Sequence, residues 1–251
     1  MKRILLLCFL LVAVSGCSSI PSCAFVKDSE CTRVLFIGNS YTFVNDLPGT
    51  VAQLAISGGY HVETGMAAEG SFKLSDHVNS PQTLAAIQSK KWTYVVLQEQ
   101  SQLPAVAQFR TQQMYPATRT LVSKIQAVGA TPIFFITWAH RDGWPENGLN
   151  DYESMQAQID TGYLTIAQEL NSLVSPVGIA WFTATKHDPP FELWQADGSH
   201  PTEQGTYLAA CVFYAVVFHQ TPVGLSYQAG LSKDIAQALQ TIASQTVLGH
   251  P

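Results

Sequence analysis

The sequence predicts a three-layer α/β/α sandwich, in which helices cover both faces of a doubly wound parallel sheet of about five strands. Several short runs are almost entirely apolar and have the length of a strand. Strands that are apolar on both faces are typical of a parallel sheet buried between helices. Longer segments with helical spacing of apolar residues separate these runs, and this alternation is the second observation behind the fold class.

The predicted strands are short, and polar or turn-forming residues follow most of them. One further segment, residues 61–66, alternates between apolar and polar residues and predicts a strand nearer the edge of the sheet. The strands that are apolar throughout are predicted at residues 33–38, 93–98, 131–137 and 177–182.

Between and after these strands the sequence predicts four long helices. Met155, Ile159 and Ile166 recur at helical spacing and predict one buried face for the second helix. The first helix ends before Gly129, which suits a helix C-terminus, and the third begins at Pro201. The predicted helices span residues 108–128, 150–174, 201–218 and 232–247.

Length and composition limit the classes of function. The 251 residues suit one domain, and a content of 47% hydrophobic and 12% charged residues argues against disorder. The formal net charge is −5 and the basic residues are spread along the chain, so nucleic-acid binding is not expected. Phosphate-loop, dinucleotide and metal-ligand motifs are absent from the sequence. We therefore expect neither a cofactor nor a metal.

The N-terminus has the pattern of an export signal. Two basic residues precede an apolar run, residues 4–14, which is too short for a membrane-spanning helix of about 20 residues. Residues 11–17 resemble a bacterial lipobox, in which Cys17 would carry the lipid; an ordinary signal peptide is the alternative. Ser18 after the cysteine resembles the pattern of an outer-membrane destination in Gram-negative bacteria.

These features predict an exported chain that is anchored to the bacterial cell envelope. Cys23 and Cys31 are close together in such a chain, where a disulfide between them is permitted but not required. Cys211 lies in an apolar helical stretch and is expected to be a core residue. The predicted parts are a signal peptide at 1–16, a lipid-anchored tether at 17–32 and one domain at 33–251.

A serine follows the first predicted strand, at the turn into a helix. Residues 38–40 read Gly-Asn-Ser, and in a parallel sheet this turn lies at the carboxyl ends of the strands, where ligands bind. Ser40 would be exposed there, with its own backbone N–H directed toward a developing oxyanion. The alternative is that Ser40 is only a turn or helix-capping residue.

An aspartate and a histidine stand close together near the other end of the chain. Residues 197–201 read Asp-Gly-Ser-His-Pro, in a loop before a predicted helix. A serine hydroxyl needs a base such as imidazole to remove its proton, and the imidazole needs a carboxylate to orient it. One loop can present both groups, so Asp197 and His200 are candidate partners of Ser40; the alternative is a turn and a helix start.

Together the two motifs resemble the SGNH (GDSL-like) serine hydrolase superfamily. Its first block, a strand followed by Gly-Asp/Asn-Ser, matches residues 36–40, and its last block, Asp-x-x-His-Pro, matches residues 197–201. The resemblance covers residues 32–218, almost the whole predicted domain. It implies a flavodoxin-like sandwich and a catalytic triad made of this serine, histidine and aspartate.

The same resemblance implies an oxyanion hole built from three donors. These are the backbone N–H of Ser40, the backbone N–H of Gly70 after the second strand, and a side-chain amide after the third strand. The family's Gly-x-Asn-Asp block is changed here, and Gln100 aligns with its Asn while Gln98 is the alternative donor. The chain thus resembles a bacterial subgroup that uses Gln at this position and accepts Asn39 in the first block.

Four side chains are expected to contact the substrate, and other polar residues are weaker candidates. The pair His187 and Asp188 could supply another acid or a rim contact, and Glu69 with Glu99 could be read as a glycosidase pair or as polar rim residues. The expected substrate contacts are Asn39, Gln98, Trp138 and His140.

The resemblance implies hydrolysis of ester bonds through an acyl-enzyme. We expect a small-molecule or carbohydrate ester that carries a short acyl or acetyl group. Because the third block is changed, a lipoprotein that binds glycans or cell wall without turnover is the alternative. A lipase for long acyl chains would need a wide apolar groove, which the sequence does not establish.

Overall fold

A parallel sheet of five strands forms the centre of the computed structural model, which describes residues 23–250. The strands are β1 (Cys31–Gly38), β2 (His61–Ala68), β3 (Tyr94–Leu97), β4 (Thr131–Phe135) and β5 (Leu173–Ser175). Their order is β2-β1-β3-β4-β5, and every neighbouring pair is parallel. This architecture confirms the predicted fold class and places residues 61–66 in an edge strand.

Helices connect the strands and cover both faces of the sheet. Those before β4 are α1 (Ser40–Phe43), α2 (Leu47–Ser57), α3 (Leu74–Asn79), α4 (Pro81–Gln88), α5 (Ala107–Phe109) and α6 (Tyr115–Ala127). A π-helical segment, Arg110–Met114, makes α5 and α6 one continuous helix over the range predicted as 108–128. Those after β4 are α7 (Tyr152–Leu170), α8 (Val177–Ala184), α9 (Glu203–Phe218) and α10 (Lys233–Leu248).

Alternating side chains of β1 enter separate hydrophobic clusters on the two faces of the sheet. Val34 and Phe36 pack with residues of α2, α8, α9 and α10. Leu35 and Ile37 pack on the opposite face with residues of α3, α4, α6 and α7. None of these side chains is more than 1% exposed. Burial on both faces explains why the central strands have continuous apolar sequences.

The prediction of a strand at residues 177–182 is wrong, because this run forms helix α8. The strand at this edge is the short β5, which pairs with β4 just before α8. A short apolar run does not by itself distinguish a buried strand from a buried helix. The burial of Val177, Ala180, Trp181 and Ala184 follows helical spacing and shows which of the two forms.

The N-terminal side of the described chain is tied to the sheet. A disulfide links Cys23 to Cys31, the first residue of β1, and so decides a pairing that the sequence leaves open. Cys211 is buried in α9, as expected for a core residue. The predicted signal segment 1–16 and the predicted lipid site Cys17 lie outside the described residues. Within the described chain, no helix is both long and apolar enough to cross a membrane.

Candidate active site

Loops at the carboxyl ends of β1 to β4 and the loop before α9 line a cavity of about 220 Å³. This is the edge of the sheet at which a doubly wound fold binds its ligands. The cavity walls are residues 39–41 after β1, Ser71 after β2, residues 100–102 after β3, His140 after β4, and Ser199 and His200 before α9.

Ser40 is the first residue of α1, in a tight turn at the end of β1. The Asn39 side chain caps this short helix by accepting a hydrogen bond from the backbone N–H of Tyr41 (3.2 Å). A side chain at Gly38, the last residue of β1, would collide with Gln98 and Thr42, so this position requires glycine. The local sequence Gly-Asn-Ser therefore forms a turn that places Ser40 on the cavity wall.

The structure brings Ser40, His200 and Asp197 together, although 160 residues separate the serine from the histidine. Nε2 of His200 lies 2.9 Å from Oγ of Ser40, and Nδ1 lies 2.6 Å from Oδ2 of Asp197. The other carboxylate oxygen accepts the backbone N–H groups of Ser199 (2.9 Å) and His200 (3.0 Å). One carboxylate thus shapes the loop and orients the imidazole toward the hydroxyl.

The carboxylate of Asp197 is held in its charged form. Burial acts to raise its pKa, but the hydrogen bonds from the His200 side chain and from the backbone N–H groups of Ser199 and His200 outweigh burial and lower the pKa to about 2. An ionised carboxylate beside Nδ1 keeps the imidazole proton on that nitrogen. Nε2 is then free to accept the proton of the Ser40 hydroxyl.

The predicted backbone donors of the oxyanion hole belong to two turns that reach the cavity wall, the turn at Ser40 and the turn after β2. In the described part of the chain, no acceptor lies within hydrogen-bond range of the Ser40 backbone N–H. The turn after β2 closes with a hydrogen bond from Phe72 N–H to Glu69 O (3.1 Å), which leaves Gly70 and Ser71 at its tip. Ser71, with a left-handed φ of 63°, lines the cavity, and Gly70 is one residue away. Sequence reasoning missed Ser71 because a left-handed serine has no sequence signal.

Gln100 has a weakly bonded side-chain amide at the cavity wall. Its Oε1 accepts the backbone N–H groups of Gln102 (2.8 Å) and Leu103 (3.2 Å), which fixes the orientation of the carboxamide. Nε2 makes only long contacts, 3.4 Å to Oγ of Ser101 and 3.5 Å to Oε1 of Gln102. The extra methylene of Gln relative to Asn is accommodated because the oxygen caps the turn while the nitrogen stays available.

The alternative donor, Gln98, does not reach the cavity. Its Oε1 accepts hydrogen bonds from the Asn39 backbone N–H (2.9 Å) and the Thr42 hydroxyl (3.0 Å). Its Nε2 donates to Oδ1 of Asn39 (3.0 Å) and to the backbone carbonyl of Glu99. The prediction that Gln98 contacts substrate is therefore wrong: the side chain is 0% exposed, and its hydrogen bonds join β3 to the turn that carries Ser40.

The prediction that Trp138 contacts substrate is also wrong, because its side chain is 0% exposed. The indole is stacked between Tyr41 and Trp181, with ring centroids 4.5 Å and 4.0 Å away. Its Nε1 donates a hydrogen bond to the backbone carbonyl of Ser199 (2.9 Å). Trp138 therefore packs behind two parts of the cavity wall. It stacks on Tyr41, next to Ser40, and donates a hydrogen bond to Ser199, next to His200.

The other two predicted substrate contacts, His140 and Asn39, do line the cavity. Nε2 of His140 lies 3.1 Å from Oγ of Ser101. Burial lowers the pKa of His140, although the charge of Asp197 opposes this, so the imidazole is neutral at neutral pH. Nδ2 of Asn39 donates to the backbone carbonyl of Phe72 (2.9 Å), which ties the β1 turn to the loop after β2.

The weaker candidates do not belong to the walls of this cavity. His187 contacts the backbone carbonyl of Pro189 through Nδ1 (2.8 Å), and its neighbour Asp188 is exposed. Glu69 is exposed in the turn after β2, and Glu99 is fully buried. Within the residues that the structure describes, no group of three or more His, Cys, Asp and Glu side chains could hold a metal ion.

Glu99 is a buried carboxyl group directly behind the cavity wall. Its Oε1 accepts the backbone N–H groups of Gln100 (2.7 Å) and Leu74 (3.0 Å), so it joins the loop after β3 to the loop after β2. Its own N–H donates to the Tyr163 hydroxyl (2.9 Å), whereas Oε2 has no hydrogen-bond partner in the described chain. Burial raises the pKa of Glu99 to about 7, despite the two backbone donors.

We expect Glu99→Gln to flatten the dependence of stability on pH. The pKa of Glu99 is about 7 in the folded chain against an ordinary value of 4.5, so the folded state binds the extra proton between these values. The free energy of unfolding therefore falls as pH rises from about 4.5 to about 7, by roughly 3 kcal/mol in all. Glutamine keeps an oxygen that accepts both N–H groups and cannot titrate.

Urea unfolding of the two proteins between pH 5 and pH 8 measures this difference. The exposed Glu146 serves as the control, because Glu146→Gln removes a carboxyl group that is in water in both states. If wild type and Glu99→Gln lose stability equally over this range, Glu99 does not titrate as its burial requires.

Comparison with known proteins supports the family suggested by the motifs. Neither protein-family models nor curated proteins match the chain. A solved structure of a candidate SGNH hydrolase from Slackia heliotrinireducens is 29% identical, with a TM-score of 0.64, over 74% of this chain and 99% of that protein. A DUF4886 family protein from Bacteroides uniformis is 20% identical, with a TM-score of 0.74, over 87% of this chain and 95% of that protein.

A third similar structure is that of an acetyl xylan esterase, which is 14% identical with a TM-score of 0.59 and covers 74% of this chain and 99% of its own. At this identity the likeness concerns the fold. The use of Gln in the third block as the mark of a subgroup stays a prediction. With its parallel sheet, its motifs in the expected order and these neighbours, the chain has the fold of the SGNH hydrolases, and the resemblance drawn from its sequence is confirmed.

Proposed function

We propose that this chain is a serine esterase that removes short acyl groups, with Ser40 as the nucleophile. The observation that carries the proposal is the chain of two hydrogen bonds from Asp197 to His200 and from His200 to Ser40, at 2.6 Å and 2.9 Å. The 2.9 Å distance is within the range in which a general base takes a proton from a hydroxyl, and the 2.6 Å hydrogen bond orients that base. The fold shared with known esterases and hydrolases agrees with this chemistry.

The proposed reaction has two steps. Ser40 Oγ attacks the ester carbonyl while His200 Nε2 takes its proton, and the same imidazolium then gives that proton to the departing alcohol. The acyl group stays on Oγ as an ester. Water then attacks this ester, with His200 as base again, and releases the acid and free Ser40. Asp197 stays ionised throughout and stabilises the imidazolium.

The proposed oxyanion hole uses donors that have no strong hydrogen-bond partner within residues 23–250. They are the backbone N–H of Ser40, the Nε2 group of Gln100 and a backbone N–H from the Gly70–Ser71 turn. Donors that are oriented before the reaction stabilise the tetrahedral intermediate without reorganisation.

The size of the catalytic cavity supports a short acyl group. Its volume of about 220 Å³ is below the range of about 300 to 1,000 Å³ that is usual for sites of drug-sized ligands. Most of its lining side chains are hydroxyls and amides, which do not favour a long alkyl chain. One structural neighbour is an acetyl xylan esterase, and we extend to this chain the proposal of an acetylated carbohydrate as substrate.

We expect a fluorophosphonate probe to label the wild-type protein and not Ser40→Ala. The probe forms a bond to an activated serine, so labelling requires both the hydroxyl and its base. Loss of a triad member lowers kcat by a factor of about 10⁴ or more. The exposed Ser89 on the C-terminal cap of α4 provides the matched control, since Ser89→Ala removes a hydroxyl far from the triad. Folded wild-type protein that is not labelled would support the alternative, a glycan-binding protein without turnover.

We expect Gln100→Glu to lower kcat by about 10² to 10³ with little change in KM. The carboxylate retains an oxygen that can accept the N–H groups of Gln102 and Leu103, so the turn is kept, but the amide donor is lost. Steady-state kinetics on p-nitrophenyl acetate measure the effect, and urea unfolding checks that the variant is folded. A kcat that stays within about threefold of wild type would exclude Gln100 from the oxyanion hole.

We also propose that the protein is exported and held in the cell envelope by a lipid on Cys17. The lipobox-like residues 11–17 support this proposal. We expect Cys17→Ala to remain unacylated and to leave the detergent phase in a phase-partition experiment after expression in a bacterial host. Cys8→Ala, which changes a cysteine inside the apolar run, is the control. Retention of Cys17→Ala in the membrane fraction would contradict lipid anchoring at this position.

A further inference from the structure

A second cavity lies beside the catalytic one and is twice as large. It has a volume of about 440 Å³, against about 220 Å³ for the catalytic cavity. Its walls come from Arg141 after β4, from the start of α7, from the end of α8 and from Trp194 in the loop before α9. Its volume is in the range of about 300 to 1,000 Å³ that small-molecule sites have.

We propose that this second cavity binds a sugar residue of the substrate, while the acyl group is held at Ser40. This inference rests on the proposed esterase function and names the part of the substrate that the catalytic cavity is too small to hold. The second cavity, called the sugar cavity from this point, is lined by Arg141, Asp151, Tyr152, Glu153, Thr185, Lys186 and Trp194.

Two segments of chain contribute to the walls of both cavities. His140 lines the catalytic cavity, and the next residue, Arg141, lines the sugar cavity. The Arg141 backbone N–H donates to the carbonyl of Gly198 (2.8 Å), inside the loop that carries the triad histidine. Trp194 at the start of that loop donates through Nε1 to the carbonyl of Ala139 (3.1 Å). In the proposed binding mode, the alcohol portion of a substrate whose acyl group is at the triad would follow these segments.

The lining of the sugar cavity favours a polyhydroxy ligand. Lys186 and Glu153 form an ion pair on one side, and Oδ1 of Asp151 accepts the N–H of Ser154 at the start of α7 (2.7 Å). Hydroxyl groups of a sugar both donate and accept hydrogen bonds, so they can pair with cations and carboxylates alike. A long acyl chain would remove these charges from water without replacing their hydrogen bonds, which is unfavourable.

Arg141 is the cation in this lining that is most available to a ligand. Its side chain is 49% exposed, and its nearest carboxylate, on Asp142, is 3.7 Å away and 84% exposed. Lys186, in contrast, is already paired with Glu153. A guanidinium group with five donors and no close partner can hydrogen-bond to several oxygens of one sugar ring.

Trp194 provides an apolar part of the wall of the sugar cavity. It is half-buried, and its ring packs edge to face against Tyr152 and Trp181, with centroids 5.3 Å and 5.4 Å away. Because its indole N–H is already bonded to Ala139, the side chain can offer a ligand only its apolar ring surface. An aromatic wall combined with a few polar groups is the usual composition of a small-molecule site.

Binding to an inactive protein tests the sugar cavity without relying on turnover. In a Ser40→Ala background, we expect an O-acetylated xylo-oligosaccharide to bind with a Kd that calorimetry can measure. We expect Arg141→Gln to raise this Kd by about tenfold or more, because a hydrogen bond to a charged group is lost. Arg119→Gln is the matched control. Arg119, on α6, is also about half exposed (47%), but it is paired with Glu169 of α7 and does not line the sugar cavity. Absence of binding, or equal Kd values for the two arginine variants, would overturn the proposal.

Kinetics of the active protein distinguish failure of the sugar-cavity proposal from failure of the proposed esterase function. We expect Arg141→Gln to raise KM for the acetylated oligosaccharide by about tenfold, and to raise it at least about fivefold more than it raises KM for p-nitrophenyl acetate. If both esters are affected equally, Arg141 acts through the triad loop and the sugar cavity is refuted. If wild type cleaves p-nitrophenyl acetate but not the oligosaccharide, the esterase stands and the sugar ligand falls. If it cleaves neither ester, the proposed function itself fails.

Discussion

The geometry of the site depends on the hydrogen bonds that the buried Gln98 carboxamide makes with the turn around Ser40. β1 and β3 are parallel neighbours with Ile37 opposite Leu97, so the residues that follow both strands meet at one edge. Gln98 fills this junction, with its oxygen and its amide both bonded to Asn39. A buried amide whose donors and acceptors are all paired is a strong constraint. A register shift of one residue in β3 would turn Gln98 to the other face of the sheet and release the turn.

Asp197 and His200 lie on one loop, which is held by hydrogen bonds from neighbouring segments and by hydrogen bonds within the loop itself. Its carbonyl groups accept N–H groups from the Trp138 side chain (2.9 Å), the Arg141 backbone (2.8 Å) and the Asn45 side chain (3.0 Å). Inside the loop, Asp197 accepts two backbone N–H groups and the imidazole of His200. The base therefore keeps its orientation through many weak constraints in addition to the bond with its carboxylate, which is the condition for preorganised catalysis.

The features that short local sequence patterns determine could be predicted from the sequence. The turn at Ser40 and the loop at His200 have short sequence patterns, and the parallel order of strands brings both to the same edge. Prediction from the sequence failed where packing decides. The apolar run 177–182 is compatible with a strand or a helix, and only its packing neighbours distinguish the two. Gln98 and Trp138 follow strands, just as residues that line the catalytic cavity do. Whether a side chain after a strand faces the cavity or the core depends on partners that are distant in sequence.

Part of the energetic cost of this fold lies near the carboxyl ends of the strands, where the function is proposed. Glu99 after β3, Thr137 after β4 and Ser175 at the end of β5 each have a buried oxygen without a hydrogen-bond partner in the described chain. Ser71 adopts a left-handed backbone on the cavity wall, and the Ser40 N–H has no acceptor in this part of the chain. Each unpaired buried group costs about 1 to 3 kcal/mol. Such costs are tolerated at functional sites when the surrounding structure determines the geometry. The Ser40 N–H gives the reason at this site, because a donor left unpaired in the resting protein is available to a charge that develops during reaction.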